Sequence, residues 1–282
     1  MGNVRIITDS TSDLSGEMIK QHNIEIVPLY VVFNEASYRD GIDITTKELY
    51  EKVEEYGVLP KTSAPSPLDF QNAFRRHIEN GEDIIYIGLS SKLSTTIQSA
   101  RLAAQEFPGG RIEIVDSENL STGIGLLVMK AVDYADEGLA VGEIAARIRD
   151  LVPKIRTRFI INTLDYLYKG GRCTALESFI GGLLKIKPVV TVKDGSITLE
   201  EKLRGKREKA RGNMLENALA DKEIMLKDRI FVTHSMDQEE AELLKSSLEK
   251  EIKGSKVIIT DAGCVISSHC GPKTVGILYI KK

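Results

Sequence analysis

Hydroxyl and carboxyl side chains are concentrated in short segments that precede or follow the predicted strands and helices. These segments are residues 9–13, 62–66, 90–96 and 116–122. Hydroxyl groups beside the free amides of a helix N-terminus form a site for a carboxylate or a phosphate. Each segment taken alone has a simpler explanation, because serine, threonine and aspartate are the preferred N-caps of helices. A cap needs only one hydroxyl, so several such segments on one sheet edge favour an anion-binding site.

The motifs of several common enzyme classes are absent. The chain has no G-x-x-x-x-G-K-[ST] loop for nucleotide phosphates and no G-x-G-x-x-G after its first predicted strand. It also lacks H-E-x-x-H for zinc and the G-x-S-x-G nucleophile elbow. These absences favour binding over catalysis and predict no cofactor. The enzyme alternative is a phosphotransferase or hydrolase that uses Asp9, Asp13 and the hydroxyl segments.

Among the four histidines, His269 is the strongest functional candidate. It lies in residues 267–272, a predicted turn between two strands, and an imidazole there can hydrogen-bond a carboxylate. His234 also follows a predicted strand, and structural and functional roles are equally open for it. Cys264 and Cys270 flank His269 without a C-x-x-C pair or a fourth ligand, so no metal site is predicted.

Two basic segments are candidates for docking an acidic partner. One is Lys169-Gly170-Gly171-Arg172, in a predicted turn. The other follows the predicted hairpin and contains Lys202, Arg204, Lys206, Arg207, Lys209 and Arg211. Three glutamates are interspersed in the second segment, so a solvated strand end and helix face is the favoured explanation and a docking patch is the alternative.

The first half of the chain alternates strands with amphipathic helices, which predicts parallel βαβ units. The predicted strands are residues 4–8, 24–33, 83–89 and 111–115, and the predicted helices are residues 46–56, 67–78, 94–107 and 121–135. Ser66, Pro67 and Asp69 form a strong helix start, with a hydroxyl cap, proline in the first turn and a carboxylate near the positive end. In open α/β sheets, ligands bind beyond the carboxyl ends of the strands.

The second half has a different order of elements and predicts a mixed sheet. Asp194-Gly195 lies between two β-rich runs, which is the strongest short-range signal for a hairpin. The predicted helices are residues 141–155, 174–186, 206–222 and 238–252, and the other strands are residues 158–163, 229–233, 256–260 and 275–280. The boundary predicted between two α/β domains lies near residue 157.

Composition excludes several classes of protein. Of 282 residues, 38 are Lys or Arg and 41 are Asp or Glu, for a net charge of −3, which argues against a protein built to hold nucleic acid. Three cysteines without repeating spacing suit a reducing compartment. The first residues lack a basic segment followed by an apolar one, and no run approaches the ~20 apolar residues of a membrane span. A cytoplasmic location without stable membrane insertion is therefore expected.

The order of these segments resembles the DegV family. The matching pieces are residues 8–14 (TDSTSDL), 62–66 (TSAPS), 89–94 (LSSKLS), 166–172 (YLYKGGR) and 269–272 (HCGP). Each piece is a weak signal, but five in the right order over nearly the whole chain form a specific one.

The resemblance implies a two-domain α/β protein with a fatty acid between the domains. Residues 1–157 would form a Rossmann-like parallel α/β/α domain and residues 158–282 an α/β domain with a mixed sheet. The family is similar to the lipid-binding subunit of bacterial fatty-acid kinase, which is not itself an enzyme. That subunit presents the carboxylate of a bound acid such as palmitate, stearate or oleate to a separate ATP-dependent kinase that forms an acyl phosphate.

The resemblance also assigns residues to the site. Thr62, Ser63 and Ser94 would supply head-group hydroxyls and His269 the imidazole, with Thr95 and Gly271 beside them. Arg172, and more loosely Arg204, would dock the kinase. A regulatory module that binds a small anion in the same crevice is the non-enzymatic alternative.

Two positions depart from the family pattern, because Thr95 and Lys273 stand where glycine is usual. Residues with a Cβ disfavour positive φ, so these loops are expected to differ in shape if the family glycines have positive φ.

Overall fold

The computed structural model describes residues 4–172 and 186–282, apart from the side chains of Ile186 and Arg204. In the first half of the chain, four parallel strands form a sheet in the order β2-β1-β6-β7. Their bounds are β1 (Val4–Asp9), β2 (Glu25–Val27), β6 (Asp83–Gly88) and β7 (Ile112–Asp116). This arrangement confirms the parallel α/β prediction for the first half.

The predicted strand at residues 24–33 is wrong, because Pro28 divides it. Proline has no amide hydrogen to donate to a ladder, and the chain continues after it as a strand of a different sheet. That second sheet is small and antiparallel, in the order β4-β3-β5. Its strands are β3 (Tyr30–Phe33), β4 (Ala36–Arg39) and β5 (Lys61–Ser63).

The first-half helices are α1 (Gly16–Gln21), α2 (Thr46–Tyr56), α3 (Pro67–Glu79), α4 (Thr96–Ala104), α5 (Thr122–Asp136) and α6 (Val141–Leu151). Helices α2 to α5 confirm the predicted ranges to within three residues at each end. Helix α1 is not among the predicted helices, and α6 ends at Leu151, before the predicted end at residue 155. The start of α3 is confirmed, since Ser66 and Asp69 form a capping box ahead of Pro67. Most of α5 is buried because it packs against strands of both large sheets, and its charged residues Lys130, Asp133 and Asp136 all lie in its C-terminal half.

The third sheet is mixed and contains six strands in the order β10-β9-β8-β13-β11-β12. Its strands are β8 (Ile155–Ile160), β9 (Ile186–Lys193), β10 (Ser196–Arg204), β11 (Ile230–Ser235), β12 (Val257–Asp261) and β13 (Thr274–Ile280). The predicted hairpin is confirmed: Ser196 pairs with Lys193, and Asp194 and Gly195 have φ of 48° and 78°. Positive φ at both central residues is the type I′ geometry that fits strand twist.

The second-half helices are α7 (Asp165–Lys169), α8 (Arg207–Ala220), α9 (Gln238–Glu251) and α10 (Cys264–Cys270). The expectation that His269 lies in a turn between two strands is wrong, because it occupies the last turn of α10. The predicted helix at residues 174–186 lies outside the described residues, except for Ile186, which begins β9. Residue 157 falls inside β8, and a division into two domains there stays a prediction.

Within residues 4–172 and 186–282, no helix has both the length and the apolar character needed to cross a bilayer.

Candidate functional site

A cavity of about 860 Å³, including space open to solvent, lies between the first-half and second-half sheets. Its walls are mostly apolar. Leu89, Leu93 and Leu120 come from loops after the parallel strands, and Phe159, Val190 and Ile197 come from β8, β9 and β10. Ten polar side chains from both halves of the chain also line it, so apolar surface is combined with hydrogen-bonding groups, as in other small-molecule sites.

The hydroxyl segments that follow β1, β6 and β7 share one edge of the parallel sheet, as expected. Hydrogen bonds connect them: Leu89 N donates to Asp9 Oδ2 over 2.9 Å, and Ser90 N donates to the Asn119 carbonyl over 2.9 Å. Ser90 Oγ on this edge donates to the Gly195 carbonyl over 2.7 Å and so connects the two halves of the chain. Hydroxyls that hold loops in place therefore lie beside hydroxyls that line the cavity.

Thr62 and His269 form the polar centre of the cavity, although they are 207 residues apart in sequence. Thr62 Oγ1 lies 2.9 Å from His269 Nε2. Thr62 is on β5 at the edge of the small sheet, and α10 carries His269 against it. Both side chains line the cavity.

The other ring nitrogen of His269 faces the Gly170 turn. His269 Nδ1 is buried and has no hydrogen-bond partner among the described residues. A Cβ added to Gly170 would lie 2.3 Å from Nδ1, so the turn packs against the ring and only glycine fits there. The exposed Arg172 donates from Nη1 to the Gly170 carbonyl over 2.7 Å and also lines the cavity.

Burial, together with the nearby positive charge of Arg172, lowers the pKa of His269 from 6.5 to about 4. The imidazole is therefore neutral at physiological pH. It can therefore serve in the cavity as a neutral hydrogen-bonding group.

This shift predicts an acid-dependent loss of stability. His269 takes up a proton in the unfolded chain near pH 6.5 but resists it in the folded chain, so its contribution is present above pH 6.5 and lost as pH falls toward 4. A difference of this size corresponds to about 3 kcal/mol. Urea unfolding between pH 7.5 and 4 should show a steeper loss for the wild type than for His269→Gln. Parallel pH profiles would contradict the prediction, since other titrating groups are common to both proteins.

Ser94 and Ser63 also line the cavity. Ser94 Oγ lies 2.8 Å from Thr96 Oγ1 and accepts from Thr96 N, the first amide of α4, over 3.3 Å while lining the cavity. Ser63 is exposed at the rim. Thr95 is exposed and is not among the cavity-lining residues, so the structure separates it from the other predicted site residues.

Neither aspartate of the enzyme alternative lines the cavity. Asp9 accepts from Thr11 on one oxygen and from Tyr86 and Leu89 on the other, and burial raises its pKa. Asp13 is likewise occupied by Ser121 and the Gly263 amide. Both carboxylates therefore hold loops together.

Comparison with known proteins identifies the family. Residues 3–282 match the model for uncharacterised proteins of the DegV family. A DegV domain-containing protein from Caldanaerobacter subterraneus is 34% identical over the full length of both chains. The chain belongs to the DegV family.

Solved DegV structures share the fold. A Thermus thermophilus DegV family protein, described by its fatty-acid binding, superposes with a TM-score of 0.93 at 36% identity, covering 99% of this chain and 100% of the other. DegV from Bacillus subtilis, described as a fatty acid binding protein, gives 0.90 at 31% identity, with 100% of each chain covered. A stearic acid-binding protein from Eubacterium ventriosum gives 0.89 at 29% identity, covering 100% of this chain and 99% of the other.

The two departures from the DegV pattern have different consequences. Thr95 has φ of −81°, so its backbone is in a region that any residue adopts. Lys273 has φ of 60°, which is the left-handed region. Its amide donates to the Ser235 carbonyl over 2.7 Å, and that bond helps to hold the loop in this conformation.

Removing the Cβ at Lys273 should relieve this strain. A left-handed conformation costs a non-glycine residue about 1–2 kcal/mol, partly offset by the greater chain entropy of glycine when unfolded. We expect Lys273→Gly to raise the free energy of unfolding by up to about 1 kcal/mol and Lys273→Val to lower it by about 1–2 kcal/mol. Chemical denaturation of the three proteins measures this order, and equal stabilities would show that the loop carries no strain.

Gly271 ends α10 with φ of 74°. A Cβ there would lie 2.8 Å from the Tyr166 ring, so glycine is needed for packing. Gly271 is not among the cavity-lining residues. Arg204 is the last residue of β10, and the position of its side chain lies outside the described part of the structure.

Other lining residues come from strand ends in the second half. Thr233, His234 and Ser235 end β11 and line the cavity, and a hydroxyl-rich strand end was the sequence signal for them. Cys270 also lines it, and burial raises the pKa of its thiol to about 12, so the thiol is protonated. Over residues 4–172 and 186–282, no cluster of histidine, cysteine and acidic side chains is placed to hold a metal ion.

Proposed function

We propose that this DegV protein binds a long-chain fatty acid, with the tail in the apolar cavity and the carboxylate at Thr62, Ser94 and His269. The observation that carries the proposal is the cavity itself, in which apolar residues from both halves lie beside the polar side chains of Thr62, Ser94 and His269. DegV relatives with the same fold are described as fatty-acid-binding proteins. Ser63 lies at the rim as a further hydroxyl.

The hydrogen-bond pattern favours one tautomer of His269 as the support for the carboxylate. Nδ1 packs against Gly170, where no acceptor among the described residues meets it, so a proton on Nδ1 would be buried without a partner. With the proton on Nε2, His269 donates to Thr62 Oγ1. The hydroxyl hydrogen of Thr62 is then available to the fatty-acid carboxylate.

The second part of the proposal is that the protein presents the carboxylate to a partner kinase. A kinase would transfer the γ-phosphoryl group of ATP to a carboxylate oxygen, releasing ADP and leaving an acyl phosphate. The absence of a P-loop motif in this chain and the exposed Arg172 beside the polar centre support a separate catalytic subunit. Arg204 is a second candidate for docking. The thiols of Cys264 and Cys270, free in the described structure, support a cytoplasmic location.

Mass spectrometry of lipid extracted from protein purified without added lipid tests the binding function. A long-chain fatty acid at near-stoichiometric amount is the expected result, and it would also identify the preferred tail. Protein that carries no lipid and takes up neither palmitate nor oleate would contradict the proposal and favour the small-anion module. For the kinase, hydroxylamine would trap the acyl phosphate as a hydroxamate when lipid-loaded protein, ATP and the partner are mixed.

Ser94 and Thr95 form a matched pair for testing the site. Ser94→Ala removes a cavity hydroxyl, and we expect palmitate affinity to fall about tenfold because a buried acceptor loses one donor. Thr95→Ala changes an exposed neighbour on the same helix start and should leave affinity unchanged. Titration calorimetry with delipidated protein measures both, and equal affinities in the two variants would exclude Ser94 from the site.

A further inference from the structure

Two buried aspartates of the first half hold the N-terminus of α10, the second-half helix that carries His269. Asp13 Oδ1 accepts from the Gly263 amide over 2.8 Å. Asp40 Oδ1 accepts from the Cys264 amide over 2.7 Å, and Asp40 Oδ2 accepts from the Val265 amide over 3.3 Å. Both carboxyl groups are almost fully buried, so three successive amides of α10 are satisfied from across the molecule.

Asp13 also accepts a hydrogen bond from a first-half residue that lines the cavity. Its Oδ2 lies 2.5 Å from Ser121 Oγ, and Ser121 lines the cavity at the start of α5. Ser121 has φ of 54°, an unfavourable value for a non-glycine residue. One carboxyl group therefore connects a strained cavity residue of the first half with the helix of the second half.

The hydrogen bonds that Asp13 and Asp40 accept from α10 set the position of the residues by which this helix lines the cavity. Val265, Ile266, His269 and Cys270 all line the cavity from this helix. The helix has seven residues, a length at which isolated helices do not form. Its position, and with it the contact between His269 and Thr62, is set by tertiary bonds at its N-terminus.

We propose that Asp13 and Asp40 are positioning residues of the lipid site, which fix α10 and Ser121 across the two halves so that His269 meets Thr62. The proposal rests on the fatty-acid function proposed above. Neither aspartate touches the ligand. Each acts through backbone amides of α10.

Substitution by asparagine should affect palmitate binding differently at Asp13 and at Asp40. In Asp13→Asn, the amide oxygen still accepts from Gly263 and the amide group donates to Ser121, so palmitate affinity should stay within about threefold of the wild type. Asp40 accepts backbone amides on both oxygens, so Asp40→Asn places an NH₂ group against an N–H donor. We expect Asp40→Asn and Asp13→Ala to weaken palmitate binding at least about tenfold.

The ring of His269 supplies a readout that does not depend on lipid. In ¹⁵N-labelled protein free of lipid, the wild type and Asp13→Asn should show the same Nε2-protonated tautomer, while Asp40→Asn and Asp13→Ala should shift or broaden its signals. Leu244→Ala is the control for loss of stability alone. Leu244 lies on the buried face of α9 and is fully buried, but it does not line the cavity. The substitution should lower the melting temperature and leave both the ring signals and palmitate affinity unchanged.

Unchanged ring signals in Asp40→Asn and Asp13→Ala would overturn the proposal, as would an equal loss of affinity in Leu244→Ala. Wild-type protein that binds no palmitate would refute the proposed function, while the ring signals still test the positioning role.

Discussion

Palmitate is expected to bind about a thousandfold more tightly than octanoate. The two acids share a carboxylate and differ by eight methylenes, each worth about 0.8 kcal/mol when buried, or about 6 kcal/mol in all. Immobilising the longer tail offsets about a third of this, leaving about 4 kcal/mol, which corresponds to the thousandfold difference. The apolar walls formed by Leu93, Phe159, Val190 and Ile197 are the surfaces that would bury the extra methylenes.

Calorimetric titration of delipidated protein with acids of increasing length measures this dependence. Hexadecanol, which has the tail without the carboxylate, is the matched control for the head group and should bind more weakly than palmitate. The small-anion module predicts the opposite dependence, since only the carboxylate would be recognised. Equal affinity for octanoate and palmitate would therefore refute the lipid function.

His269→Ala is expected to weaken palmitate binding by about 10–100-fold. The substitution removes the donor that orients Thr62 Oγ1, and leaving such a buried group without its partner costs about 1–3 kcal/mol. The expected loss comes from the hydrogen bonding and packing of the ring against Thr62.

The glutamine variant separates these contributions. His269→Gln has an amide that can reach toward Thr62, so it should recover part of the lost affinity. His22→Ala, at the C-terminal end of α1 and away from the cavity, is the matched control. Circular dichroism should show that all three variants fold. Palmitate affinity equal to that of the wild type in His269→Ala would exclude the imidazole from the site.

Several local elements could be predicted from sequence patterns alone. Amphipathic periodicity placed α2 at residues 46–56, and the capping residues Ser66 and Asp69 placed the start of α3. The Asp194-Gly195 turn located the β9–β10 hairpin, because only few residues accept its backbone angles. These signals come from residues close together in the chain, so no tertiary information is needed to interpret them.

The sequence also placed the hydroxyl segments on one sheet edge, because the carboxyl ends of parallel strands share an edge. It did not distinguish the hydroxyls that face the cavity from those that do not. Ser94 and Thr95 are adjacent and chemically similar, yet one lines the cavity and the other is exposed. That difference depends on the direction of each side chain at the start of α4.

The position of His269 depends on contacts between residues far apart in the chain. Helix α10 is short and contains cysteine, valine, isoleucine and serine, which have modest helix propensity, so its sequence favours a turn or strand as much as a helix. Its amides are satisfied by Asp13 and Asp40, which lie more than 200 residues earlier in the chain. Thr62 and His269, which are in contact, are likewise separated by 207 residues in the sequence. No local pattern records such contacts, because they form only when both halves pack around α5.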